Sequence, residues 1–144
     1  MKASEEPKAA KGSLLDAAVR EAGRLDLSPD RIVELFTTIA VMSYHLSQEV
    51  GEAYRVYANA EGARKAHMAG RVIALQVDGT SNAKATAIVE ASDEYQALRA
   101  KEVDAEAEYT RWKLTAQGTN NVLSSLQMRS AWARDERKNT QHHN

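Results

Sequence analysis

The chain has 144 residues, a formal charge of −1 and no cysteine. That length suits one domain, and the lack of cysteine excludes a disulfide scaffold, a thiol nucleophile and a cysteine-based zinc site. Hydrophobic residues reach 43%, but 25 residues are alanine, and Leu, Ile, Val and Phe together number only 26. So thin a core is expected to be completed by other subunits, which predicts a homo-oligomer.

In chain order, residues 1–12 are Lys, Glu, Ala, Pro and Gly with little to bury, and read as a disordered tail. The opening residues lack the apolar core of a secretory leader, and no apolar run approaches the roughly 18 residues of a membrane span. The expectation is a cytoplasmic protein with no membrane association. Ser13 with Asp16 reads as a capping box that opens a short helix over 13–25, with Leu14, Leu15, Ala18, Val19, Ala22 and Leu25 as its apolar face.

A clearer start follows at Leu27-Ser28-Pro29-Asp30, with Ser28 as N-cap, Pro29 at the first helical position and Asp30 at the positive end of the helix dipole. Ile32, Leu35, Ile39, Met42, Leu46, Ala53, Val56, Ala60, Ala63 and Ala74 carry a stripe that predicts one long helix over 29–77. Asp78-Gly79-Thr80-Ser81-Asn82 is the strong break, predicted as a turn over 78–82.

The next stretch is the most regular in the chain. Ile88, Ala91, Tyr95, Leu98, Glu102, Ala105, Tyr109, Trp112, Ala116, Thr119, Leu123, Leu126, Ser130 and Ala133 recur every three then four positions. Such a seven-residue repeat predicts a long helix over 82–138 whose stripe packs on other helices. Ser92-Asp93-Glu94 is a restart signal that leaves 82–91 open as a separate piece, and residues 139–144 read as a frayed tail. At 1.5 Å per residue the two long helices span about 70 and about 85 Å. The predicted fold is all-α: an elongated, coiled-coil-like antiparallel hairpin with a short N-terminal helix, forming a single helical domain over 13–138.

Charge is unevenly spread. Residues 90–108 hold seven acids against Arg99 and Lys101, a net of −5. Folding about the turn brings that belt alongside 52–70, which contains Arg55, Arg64 and Lys65. Two readings of this basic cluster stand: ion pairing within the hairpin, or an anion-binding surface. Arg64, His67 and Arg71 are spaced to share a helical face, and Arg71 and Lys84 flank the turn beyond the belt. The cations Arg129, Arg134, Arg137 and Lys138 suit a helix C-terminus on dipole grounds alone.

No phosphate-cradling glycine loop, nucleotide fingerprint or Ser–His–Asp arrangement occurs. The histidines have no metal-ligand spacing, so no metal, cofactor or enzymatic activity is expected. Polar residues on the stripe, Glu102, Thr119 and Ser130, are of the kind that set helix register or oligomer state.

The segment Arg64-Lys65-Ala66-His67-Met68-Ala69-Gly70-Arg71-Val72 leads into the glycine turn. Trp112 follows about forty residues later, and then Val122-Leu123-Ser124-Ser125-Leu126-Gln127-Met128-Arg129. This order and spacing, over residues 40–135, resembles the UvsY-type recombination mediator proteins of tailed phages. The resemblance implies a ring-forming accessory protein that binds single-stranded DNA and helps a RecA-like recombinase replace single-strand-binding protein. In that family basic residues just before the turn, including a Lys-x-Arg pair, contact DNA. Arg71 keeps the arginine, Ala69 stands where the lysine would be, and Lys84 is placed to supply the missing charge.

The candidate DNA-binding set is therefore Arg64, Lys65, His67, Arg71 and Lys84. Tyr109, Trp112, Leu123, Leu126 and Trp132 form the candidate oligomer interface. A ring repeats a small cationic patch on every subunit, which offsets the low cation count of a chain with pI about 6.4. The competing reading is a purely structural helical oligomer, such as a phage assembly scaffold or chaperone, with no DNA binding.

Overall fold

The structure is a computed structural model and describes residues 8–141, with side chains from residue 14 onward. The predicted tail residues 1–7 and 142–144 lie outside the described residues. Four helices make up the fold: α1 (Lys8–Ala22), α2 (Pro29–Val77), α3 (Asn82–Glu90) and α4 (Asp93–Gln141), with no strand among the described residues. The protein is all-α, and no described helix is long and apolar enough to cross a membrane.

Helix ends follow local chemistry. Ser28 Oγ accepts from the Arg31 N–H at 3.2 Å, and α2 starts at Pro29. At its far end Thr80 N donates to Leu75 O and Gly79 N to Gln76 O, both at 3.0 Å. This is the Schellman arrangement, which needs a left-handed residue, and Gly79 takes it with φ +92°. Ser81 then caps α3 by accepting from Lys84 N at 3.4 Å.

Four boundaries differ from the sequence reading, one being that α4 runs on to Gln141, so that residues 139–141 of the predicted frayed tail are helical. Helix α1 begins at Lys8, so residues 8–12 are helical and Ser13 lies inside the helix, where it is not an N-cap. Alanine and lysine are strong helix formers even with nothing to bury. Helix α1 also stops at Ala22, closed by Gly23 N donating to Arg20 O, which leaves Leu25 exposed. The helix predicted over 82–138 is two helices, parted at Ala91–Ser92, where Ser92 Oγ accepts from Tyr95 N and donates to Val89 O.

That break changes helical phase. From Tyr95 to Ala133 every residue of the predicted stripe is buried or half-buried, whereas Ile88 and Ala91 are exposed and Ala85 and Val89 point inward instead. On α2 the stripe holds through Ala53, but Val56, Ala63 and Ala74 are exposed. The half-buried positions beyond Ala53 include Tyr57, Ala60, Arg64 and His67.

The chain divides into two compact units. Unit 1 comprises the described residues of Met1–Ser47 and Thr115–Asn144, and unit 2 is Gln48–Leu114. In unit 1, Ala18, Ala22, Ile32, Leu35, Ile39 and Leu126 form the core, with Leu27, Phe36, Val122 and Leu123 packed against it. Arg129 donates to Ala22 O at 2.8 Å and Arg24 O at 2.7 Å, so a cation from α4 caps the C-terminal end of α1. Arg31 holds Glu21 through two bonds of 2.6 and 2.7 Å, and their hydrogen bond keeps the Glu21 carboxyl below its ordinary pKa.

In unit 2 the contacts between α2 and α4 come in reverse order: His67 with Glu94, Arg64 with Tyr95 and Glu102, Tyr57 and Tyr54 with Tyr109. Within this unit the two segments are antiparallel. Its buried apolar residues are Ala53, Ala85, Val89 and Ala105, so the interior is lined mainly by methyl groups.

Candidate nucleic-acid interface

The five proposed DNA-binding residues fall into two groups. Arg64 faces inward. Its Nε pairs with Glu102 Oε2, its Nη2 reaches Glu102 Oε1 at 3.2 Å, and Nη1 lies 3.5 Å from the Tyr95 hydroxyl. Arg99 adds a second cation, its Nη1 3.1 Å from Glu102 Oε2.

Glu102 is only 3% exposed, a carboxylate buried between two guanidinium groups. The hydrogen bond from Arg64 holds its pKa below the ordinary glutamate value; burial opposes this, and Arg99 reinforces it. The same hydrogen bond raises the Arg64 pKa. Arg64 is thus a structural cation, and it is not displayed to a phosphate. Of the two readings of the basic cluster, intrachain pairing describes this residue.

His67 shares that inward face. It is half-buried, its Nε2 has no hydrogen-bond partner among the described residues, and Glu94 Oε2 is 3.8 Å away. The spacing that puts Arg64, His67 and Arg71 on one face therefore points the first two into unit 2 and leaves Arg71 exposed.

The outward group is Lys65, Arg71 and Lys84, all exposed. Lys65 Nζ meets Glu61 Oε1 at 2.8 Å on the surface, a pair that contributes little in water. Arg71 and Lys84 form no ion pair among the described residues. They stand before and after the Asp78–Ser81 turn within unit 2.

The candidate interface residues also separate. Leu126 is 1% exposed in the core of unit 1, and Leu123 packs beside it, so both are used within the chain. Tyr109 stacks on Tyr57, with ring centroids 6.1 Å apart and planes within 3°, and also meets Tyr54 at 5.4 Å. Trp112 is half-buried, and its Nε1 donates to Glu108 Oε1 at 2.8 Å. Trp132, 74% exposed, is the member of the set left open.

Sequence reasoning missed the aromatic group of Tyr54, Tyr57 and Tyr109, to which Lys113 adds a cation 5.9 Å from the Tyr109 centroid. Its signal was present as tyrosines three apart on one helix, but the partner ring lies far along the chain. It missed equally that Arg129 serves α1. No protein-family model, curated protein or solved structure matches this chain.

Proposed function

We propose that the chain is a non-enzymatic recombination mediator. In this reading a cytoplasmic protein, of the bacterial host cytoplasm if phage-encoded, assembles as a ring of antiparallel helical hairpins. The ring binds single-stranded DNA and promotes loading of a RecA-like recombinase in place of single-strand-binding protein. The order of motifs from Arg64 to Arg129 supports this through its resemblance to the UvsY-type mediators.

One structural observation carries the binding step: Arg71 and Lys84 are exposed on either side of the turn without an ion pair among the described residues. Binding to single strands without sequence preference needs cations along a surface. Two cations per subunit are too few alone, and repetition around an oligomer multiplies them. Lys65 adds a third, because its surface pair with Glu61 is readily given up to a phosphate.

The second reading, a structural oligomer without DNA binding, is favoured by the capture of Arg64 on Glu102. Fluorescence anisotropy with a labelled single-stranded oligonucleotide separates the two. The mediator reading expects binding at about 50 mM salt that weakens steeply as salt rises. Flat anisotropy at the low salt leaves the structural reading in place.

A further inference from the structure

Arg71, Lys84 and Lys65 are cations, suited to phosphates; none of them is suited to a base. A single strand presents both, and its unpaired bases stack on aromatic rings. In unit 2 one ring is open to a base. Tyr54 is 54% exposed, and Tyr109 meets it obliquely, with centroids 5.4 Å apart and planes at 58°, so this neighbour leaves the flat face of Tyr54 uncovered. Tyr109 is itself fixed by stacking on Tyr57, which lies one turn after Tyr54 on α2. The open ring is therefore backed by two others, all three carried on helices.

The charges around these rings nearly cancel. Lys113 Nζ stands 5.9 Å from the Tyr109 centroid and makes no ion pair among the described residues. Lys65, three turns along α2 from Tyr54, faces the same side with its partner Glu61. Burial pushes the Tyr57 hydroxyl above its ordinary pKa; Glu61, Glu106 and Glu102 push it further, and Lys65 opposes them. Glu102 is answered by Arg64, which leaves two lysines against Glu61 and Glu106. The nearby pairs Arg55–Glu52 and Arg111–Glu108 are each neutral. An aromatic surface close to neutrality suits an uncharged base, while phosphates go to the cations nearer the turn.

We infer that Tyr54 is the platform on which an unpaired base of the bound single strand stacks. The inference rests on the mediator reading above and gives its DNA site a base contact. Stacking is tolerant of sequence because every base has a π face. A strand that touches both Tyr54 and Arg71 runs lengthwise along α2 for about 25 Å.

Two variants and two strands test this. Tyr54→Leu keeps an apolar side chain and removes the ring face; Tyr54→Phe keeps the face. Fluorescence anisotropy is read on labelled oligothymidylate and on an abasic strand of the same length, which has the phosphates without the bases. On oligothymidylate Tyr54→Leu is expected to bind at least about fivefold more weakly than wild type, the low end for one lost stack, and Tyr54→Phe to match wild type. On the abasic strand all three proteins are expected to bind alike. The slope of log affinity against log salt is expected to stay at the wild-type value in both variants, because no phosphate contact is removed.

Wild-type affinity of Tyr54→Leu for oligothymidylate, an equal loss on both strands, or a Tyr54→Phe protein as weak as Tyr54→Leu overturns the platform while DNA binding stands. A wild-type protein that binds neither strand at about 50 mM salt removes the mediator reading and the platform with it.

Discussion

Arg64 and Glu102, 38 positions apart in sequence, meet in the interior of unit 2 as its one layer of buried charge among the described residues. The neighbouring buried positions are alanines at 53 and 105. Methyl groups pack almost as well after α2 slides along α4, so they specify register weakly. A fork of guanidinium hydrogen bonds on a carboxylate is directional, and Arg99 makes it more so. The layer fixes which turn of α2 faces which turn of α4.

Glu102→Gln is expected to lower the melting temperature by on the order of 10 °C, because two arginines lose the buried charge that compensates them. The paired replacement of Arg64 by Met and Glu102 by Leu should recover most of that loss while weakening register. Circular dichroism melts measure the first effect, and cross-linking of engineered cysteines across α2 and α4 measures the second.

The pH dependence has a definite sign. The pKa of Glu102 in the folded chain is depressed below its ordinary value of 4.5. Its stabilisation is therefore complete at neutral pH and is lost as acidity takes the pH down from that value through the depressed one. Urea titrations across this window should show stability falling with pH in the wild type and a flatter profile in Glu102→Gln.

Arg71→Ala and Lys84→Ala are each expected to leave thermal stability unchanged and to lower the slope of log affinity against log salt by about 0.7 for every phosphate that is no longer neutralised. Arg64→Ala should do the opposite, reducing stability with little change in that slope. Anisotropy and melting curves on the same three variants decide the matter.

Leu126→Ala should cost about 2–5 kcal/mol, the usual penalty for emptying a filled core position. Urea unfolding measures it.

Much of α4 was legible in the sequence because its inward positions from Tyr95 to Ala133 keep one unbroken period. Helix α2 was harder to read beyond Ala53. There the inward positions include Tyr57, Arg64 and His67, which a hydrophobicity pattern assigns to the surface, while Val56 and Ala63 stand outside. Polarity misled for a physical reason: an arginine can be interior when a carboxylate from another helix meets it, and that partner is invisible to local periodicity. The Ala91–Ser92 break was signalled by Ser92, but its shift of helical phase, which swaps Ile88 for Val89, depends on side-chain bonds that spacing alone does not report. The exposure of Arg71 and Lys84 was legible because no ion pair among the described residues claims their charge.

Arg129 reaches back 107 positions to the Ala22 carbonyl. During synthesis α1 emerges well before the group that seals its end, which lies 107 positions downstream. The cap therefore forms only once that part of α4 has been made, and it needs closure across 107 positions, which slows folding relative to a locally capped bundle. A truncated product ending before α4 is complete would carry an unsealed first helix, a built-in mark distinguishing unfinished chains from finished ones.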